Sequence, residues 1–225
     1  MFTVIFEVHP HAGKKDAYLA LGKHLKPMLE KVDGFIDNER FESRRRAGWV
    51  LSLSTWRDEK SVVRWRSQGE HHAVQAQGRN VVFADYHLRV CEVTADDHPP
   101  PGLPVVQQRF DETEVGASKA LALTELSPQA GATLPATDEF LARLGFEATS
   151  AGLLAHDLFE SIYNPGKLLL LTSWRSAVDA EGWVPRPFDG VAALRHRRLR
   201  SVRDYGMFER REAPQYFPDA PGPAA

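Results

Sequence analysis

Cysteine is almost absent. The 225 residues contain one, Cys91, so no internal disulfide can form and a reducing compartment suits the chain. Cys91 sits in an apparent strand and reads as a buried, inert thiol. Charge of one sign is lacking too. Lys and Arg number 28 against 30 Asp and Glu, a formal net charge of -2, which gives no electrostatic footprint for nucleic acid or an anionic membrane. No apolar run reaches the length of a membrane span. The opening MFTVIFEVHPHAGKK has no basic leader and only a short apolar stretch, so no signal peptide is expected and cytoplasm is the expected location. A glycine-rich loop running into a helix is missing, which argues against a tightly bound dinucleotide. His9 with His11, and His71 with His72, have no Cys or carboxylate at a known metal spacing, so no metal site is expected.

What the chain does contain is a copy of itself. Shifted by 118 positions, FESRRRAGWVLSLSTWRDEKSVVRW (41–65) lies without a gap on FESIYNPGKLLLLTSWRSAVDAEGW (159–183). Nine of those 25 positions are identical: Phe41, Glu42, Ser43, Gly48, Leu51, Leu53, Trp56, Arg57 and Trp65, each with its twin. Average usage would give about one or two. The same offset carries Glu7 onto Glu125 and Gly34 onto Gly152, and one further residue brings Asp85-Tyr86 onto Asp204-Tyr205. The chain is therefore a tandem duplication of one small unit.

The first unit reads β-α-β-β-α-β. A strand over 3–8 is followed by a helix over 14–32 that Asp33-Gly34 stops. A hairpin over 35–43 and 49–56 leads to a second helix over 58–77 with Gly78 behind it, and a strand over 82–93 closes the unit. This is the ferredoxin-like split βαβ order. The second unit repeats it with damage: strand 119–126, a short helix 138–144, a hairpin over 155–174, a second helix broken at Pro185 and Pro187 and resumed over 191–202, and a closing strand over 205–211. The expected organisation is unit 1 at 1–94, a stiff proline-rich linker at 95–118, a divergent unit 2 at 119–212, and a disordered tail at 213–225. The arginines at 195, 197, 198, 200 and 203 read as a solvated helix face. A sheet with both helices on one side leaves its other face apolar and open. The expected fold is thus α+β, two ferredoxin-like repeats packed sheet to sheet as an intramolecular α+β barrel, a pseudo-dimer within one chain.

These residues resemble the antibiotic biosynthesis monooxygenase family, whose subunits are ferredoxin-like and pair into a dimeric α+β barrel. The carriers are the FTVIFEV strand, the Gly34-Phe35 junction, the hairpin ending LSLSTWR, and GRNVVFADYHLRV. The resemblance implies a small-molecule oxygenase acting with O2 on an aromatic polyketide or similar secondary metabolite. It implies no tightly bound cofactor, with reduced flavin as a conceivable co-substrate. Haem binding or degradation is an alternative, and a non-catalytic metabolite-binding or scaffold barrel is another. Cofactor-free members carry a Trp at the end of the third strand, matched by Trp56 and Trp174, but their Asn and Tyr are replaced by Ser52 or Leu170 and by Val62 or Ala180. Haem-degrading members carry a Trp on the second helix, matched by Trp65, but their His falls on Gln75 and their Asn on or beside Glu7. Neither set is intact.

The residues themselves allow a site in the first unit. On an unbroken helix, His72 lies seven residues after Trp65 and shares its face, with Gln68 between them, while His71 points elsewhere. His72 is the expected base, with Trp65 and Tyr86 as its catalytic companions. Trp56, Gln68, Arg79, Glu7, Gln75, Trp174 and Trp183 are the expected substrate contacts. The tryptophans read equally as core packing. Glu7 and Glu125 could be neutralised by the recurring Arg57 and Arg175. Whether the fused unit associates further is left open.

Overall fold

The computed structural model describes residues 1–132, 135–218 and 220. Its construction follows from alternation along the strands. In β1 (Phe2–Pro10) the side chains of Phe2, Val4, Phe6 and Val8 face the helices, whereas Ile5 and, two residues on, Glu7 point the other way. β3 (Val50–Trp56) repeats this, with Leu51 and Leu53 opposite Val50 and Trp56. The face turned from the helices is the apolar face that a single unit cannot cover.

Both units contribute four strands to one closed antiparallel barrel in the order β1-β3-β2-β6-β7-β5-β8-β4. The first unit supplies β1, β2 (Phe35–Ser43), β3 and β4 (Phe83–Asp96); the second supplies β5 (Ala120–Pro128), β6 (Leu153–Ser161), β7 (Leu168–Trp174) and β8 (Val191–Gly206). Closure removes every sheet edge. Ile5, Phe41, Leu51, Leu53 and Cys91 from one half meet Leu121, Leu123, Phe159, Leu169 and Leu171 from the other in the barrel core. Burial pushes the Cys91 thiol up to about 12, which keeps it inert. The linker lays Leu103 and Val105 against the same core.

The duplication is visible atom by atom. At the β2–β6 seam, Phe41 pairs with Ser161 and Ser43 with Phe159, so the two pairs are twins of each other. Ser43 Oγ donates to Asp157 while Ser161 Oγ donates to Glu39, the twin of Asp157. Trp56 Nε1 donates to Ser54, two residues back, and Trp174 Nε1 to Thr172. Gly34 and Gly152 both hold left-handed φ, +87 and +77, which a side chain would strain.

Three expectations are corrected. Residues 191–202 are not a helix: β8 runs unbroken from Val191 to Gly206, paired with β5 on one side and β4 on the other. Its arginines alternate as a strand requires. Arg197 is 1% exposed and paired with Glu125 at 2.5 Å, and Arg195 pairs with Asp96 at 2.6 Å, so this is no solvated helix face. Second, Asp204-Tyr205 is not the twin of Asp85-Tyr86. Val8 pairs with Tyr86 and its twin Leu126 with Leu194, so Leu194 takes Tyr86's place and Tyr205 lies opposite Leu88 across the other seam. Third, Arg57 does not neutralise Glu7, since it binds Asp33 and Asp58.

Candidate functional site

Three helices cover the outer face of the first half: α1 (Lys15–Leu29), α2 (Glu59–Arg66) and α3 (Gly69–Gln77). They do not fill the space beneath them. A cavity of about 200 Å³ remains between them and β1–β4. Its floor is Val4, Phe6, Leu88 and Val90; Phe6, Phe83, Tyr18 and Tyr86 form a chain of edge-on or tilted rings with centroids 5.6–6.2 Å apart.

The helix expected over 58–77 is two helices. α2 ends at Arg66, Gln68 takes an extended backbone (φ -66, ψ 132), and α3 starts at Gly69. The break resets the helical phase, so the seven-residue spacing no longer puts His72 beside Trp65. His71 takes the wall position instead. Its ring stacks on Trp65 at 4.1 Å, and its Nδ1 lies 3.0 Å from the Trp65 carbonyl. A carbonyl only accepts, so Nδ1 carries the hydrogen and Nε2 keeps a lone pair. Burial lowers the His71 pKa to about 4, which leaves the ring neutral at pH 7. His72 is exposed and stacks on Phe217 at 5.3 Å, bracing that ring from outside.

A π turn over Gly78–Val82 follows α3 and turns Arg79 inward, where it is 5% exposed. Arg79 Nη1 donates to Tyr86 Oη at 3.2 Å and to the Met207 carbonyl at 2.8 Å; Arg210 Nη1 reaches the same phenol oxygen at 2.5 Å. Two guanidiniums thus converge on one hydroxyl. Arg210, Gln215 and Phe217 belong to the segment after β8, which crosses the cavity rim. Gln215 donates to the Arg66 carbonyl at 3.1 Å and its own carbonyl accepts from Arg210 at 3.0 Å. The tail expected to be disordered is ordered over 213–218, while residues 219 and 221–225 lie outside the described ones.

The α1 end of the cavity is polar. Arg40 on β2 extends its guanidinium over the Tyr18 ring, 5.7 Å from its centroid. Asn38 donates to Ser52 Oγ at 3.1 Å, so an amide from the neighbouring strand stands beside the serine. Gln75 turns a buried, unpartnered Oε1 to the same cavity.

Of the residues expected here, Trp65, Gln75, Arg79 and Tyr86 line the cavity. Gln68 caps the break without lining it. Trp56 is fully buried in the layer of Phe2, Leu29, Val32 and Val62, and Trp174 and Trp183 are core of the second half. Glu7 points into the barrel, bonded to Arg46 and Arg89. Burial pushes its carboxyl up, but the two guanidiniums outweigh burial and hold it below the usual range. Tyr18, Asn38, Arg40, Arg66, Arg210, Gln215 and Phe217 line the cavity without a sequence signal of their own, and His71, expected to point elsewhere, lines it too. A glycine inside α1, Gly22, was the one available signal for Arg40, since a helix rarely keeps glycine without need.

Among the described residues, the matching face of the second half is packed. Phe140, Leu144, Phe146, Leu158, Leu170, Trp174 and Trp183 close it into apolar core. Leu158 is the twin of Arg40, and Leu170 of Ser52.

Residues 1–77 match the family model of antibiotic biosynthesis monooxygenases. Over 225 residues the chain is 41% identical to a jasmonate monooxygenase ABM of Pyricularia oryzae (strain 70-15), covering 98% of this chain and 100% of that one. Among solved structures, an aldoxime dehydratase superposes with a TM-score of 0.53 at 12% identity over 89% of this chain and 80% of its own, a likeness of fold. An anthrone oxidase-like protein gives 0.34 at 16% identity over 95% and 96%.

Proposed function

The chain belongs to the antibiotic biosynthesis monooxygenase family, and from that premise we propose that its first-half cavity binds a small, mainly apolar metabolite of about one ring and inserts one oxygen atom of O2 into it. The observation that carries this is the cavity itself: an aromatic and aliphatic chamber with a few convergent polar groups, present in one half and filled with leucine and tryptophan in the other.

Size narrows the substrate. An engineered cavity of about 150 Å³ takes benzene, so about 200 Å³ open at one side suits a single ring with substituents better than a fused polycycle. Jasmonate, named in the 41% identical relative, is a one-ring acid of that kind, and we take such acids as the leading substrate class ahead of aromatic polyketides.

Monooxygenation places one oxygen in the product and the other in water, and consumes two electrons and two protons. A substrate with an acidic C–H can supply the electrons itself and end as a ketone or quinone. An unactivated C–H needs a two-electron donor, for which reduced flavin is the proposed co-substrate. The residues supply proton handling and shielding. His71 Nε2 is placed to accept a proton or hydrogen bond, Tyr86 between Arg79 and Arg210 can donate to a developing oxyanion, and the 213–218 segment restricts water. Haem does not fit as well. The His71 ring lies flat against Trp65, and the volume falls short of a macrocycle.

The test is incubation with jasmonic acid, and with one-ring hydroquinones, under isotopically labelled O2, with and without a flavin reductase. One labelled oxygen in the product, with matching O2 uptake, is the expected result. Absence of label from every product under both conditions would overturn the proposal.

A further inference from the structure

We propose that Arg40 is the receptor for a carboxylate on the substrate, so that the cavity selects organic acids over their neutral esters. This rests on reading the cavity as a substrate site and adds the group that is recognised there.

Charge is the first ground. Four arginines line the cavity, Arg40, Arg66, Arg79 and Arg210, and among the described residues no Asp or Glu does. None of the four has a carboxylate within ion-pair distance among the described residues, although the chain carries more acidic than basic groups. The buried arginines outside the cavity are paired, Arg89 with Glu7 and Arg197 with Glu125, whereas the half-buried Arg40 faces no carboxylate among the described residues. Arg79 and Arg210 spend their donors on Tyr86 and backbone carbonyls. Arg40 and Arg66 have no such outlet among the described residues, and of the two only Arg40 has a fully buried side-chain nitrogen left without a partner. Its side chain makes one hydrogen bond, Nη1 to Asn38 Oδ1 at 3.3 Å, and its Nε is buried with no partner. A planar guanidinium with free donors matches a carboxylate in fork geometry.

The surroundings are built around it. A methyl group at Gly22 would overlap Arg40 Nη2 and Cζ, so α1 keeps a glycine where alanine would favour the helix. The Tyr18 hydroxyl is buried, near Arg40, and makes no hydrogen bond of good geometry, which leaves a second donor for the same anion. The twin of Arg40 in the filled half is Leu158, 0% exposed, so the fold itself needs only an apolar side chain at this place. Arginine is there for something the second half does not bind.

The experiment is calorimetric titration with two acid–ester pairs, jasmonic acid with methyl jasmonate and phenylacetic acid with its methyl ester. Charge-assisted recognition predicts that wild type binds at least one acid about 10–100-fold tighter than its ester. In Arg40→Leu that ratio should fall to about one through loss of acid binding, and the ligand-free variant should melt no lower than wild type, because an unpaired charge has been replaced by the residue the twin site uses. Arg40→Lys should fall between, and Gly22→Ala should lower the ratio by displacing the guanidinium. Wild type that binds neither acid, or shows no preference in either pair, overturns the proposal, as does a preference retained in Arg40→Leu. Should the leucine variant not fold, Arg40→Gln is read the same way. Oxygenation without acid preference would sink only this proposal; acid preference without oxygenation would sink only the reaction proposed above.

Discussion

Replacing His71 by phenylalanine keeps the stack on Trp65 but removes the one histidine that lines the cavity among the described residues, and this separates burial from chemistry. In the folded protein the ring protonates only near pH 4, whereas in the unfolded chain it takes a proton below about 6.5. The folded value is the depressed one. The stability tied to the neutral ring is therefore complete above pH 6.5 and is lost as the pH falls toward 4. Between pH 7 and 5 the two pKa values give a loss of about 2 kcal/mol. For a chain of this size that is a fall in Tm of roughly 4–8 °C. His196, lowered to about 4 by burial in the second half, adds a similar fall, so the informative quantity is the difference between variant and wild type. Thermal unfolding followed at pH 7 and pH 5 should show His71→Phe keeping about 4–8 °C that wild type loses. Equal losses in both proteins would refute the buried, neutral imidazole and, with it, the tautomer assigned to Nε2.

Glu125→Leu leaves Arg197 charged and buried, with Thr55 Oγ1 at 3.1 Å as its remaining partner; urea unfolding should show a loss of about 3–5 kcal/mol, largely recovered when Arg197→Met is added. Tyr86→Phe removes the oxygen on which Arg79 and Arg210 converge. If that hydroxyl donates to a developing oxyanion, kcat for oxygen uptake should fall on the order of 10²-fold with little change in KM, and an unchanged kcat would leave Tyr86 a purely structural residue.

How much of this could be read in the sequence depends on what each signal encodes. The repeat and the α+β barrel were legible because hairpin turns, strand alternation and duplicate tryptophans are local, and the uncovered sheet face dictates pairing of the halves. The sequence of β8 points to a helix because 191–202 carries four arginines among small and apolar residues, a pattern that alternation and helical spacing fit equally. What decides it is the long-range match of Arg197 to Glu125 and Arg195 to Asp96. The cavity was half legible. Trp65, Gln75, Arg79 and Tyr86 line the cavity, but the choice of His72 over His71 rests on a helix that breaks at Gln68. Arg40 and the rim residues Arg210, Gln215 and Phe217 come from a neighbouring strand and from the chain's end, and nothing local joins them to Trp65.

The duplication assigns the two halves different physical tasks, and the difference can be measured. Barrel closure needs four strands from each half, but only one outer face needs room for a ligand. In the second half α4 (Thr137–Arg143) is 7 residues against 15 in α1, and α5 (Ala177–Glu181) is 5. Leucines at 158, 168 and 170 occupy the space that shorter helices would otherwise leave. Leu170 is 0% exposed, so Leu170→Ala should cost about 2–5 kcal/mol, the range for an unrelaxed core truncation. Its twin Ser52 lines the open cavity, and Ser52→Leu inserts the same side chain where space exists. That change should leave the urea midpoint near or above wild type while weakening ligand binding, because it makes the first half resemble the second. A loss of stability from Ser52→Leu as large as that from Leu170→Ala would mean that both faces are close-packed, and that the space beneath α1–α3 is not a binding site.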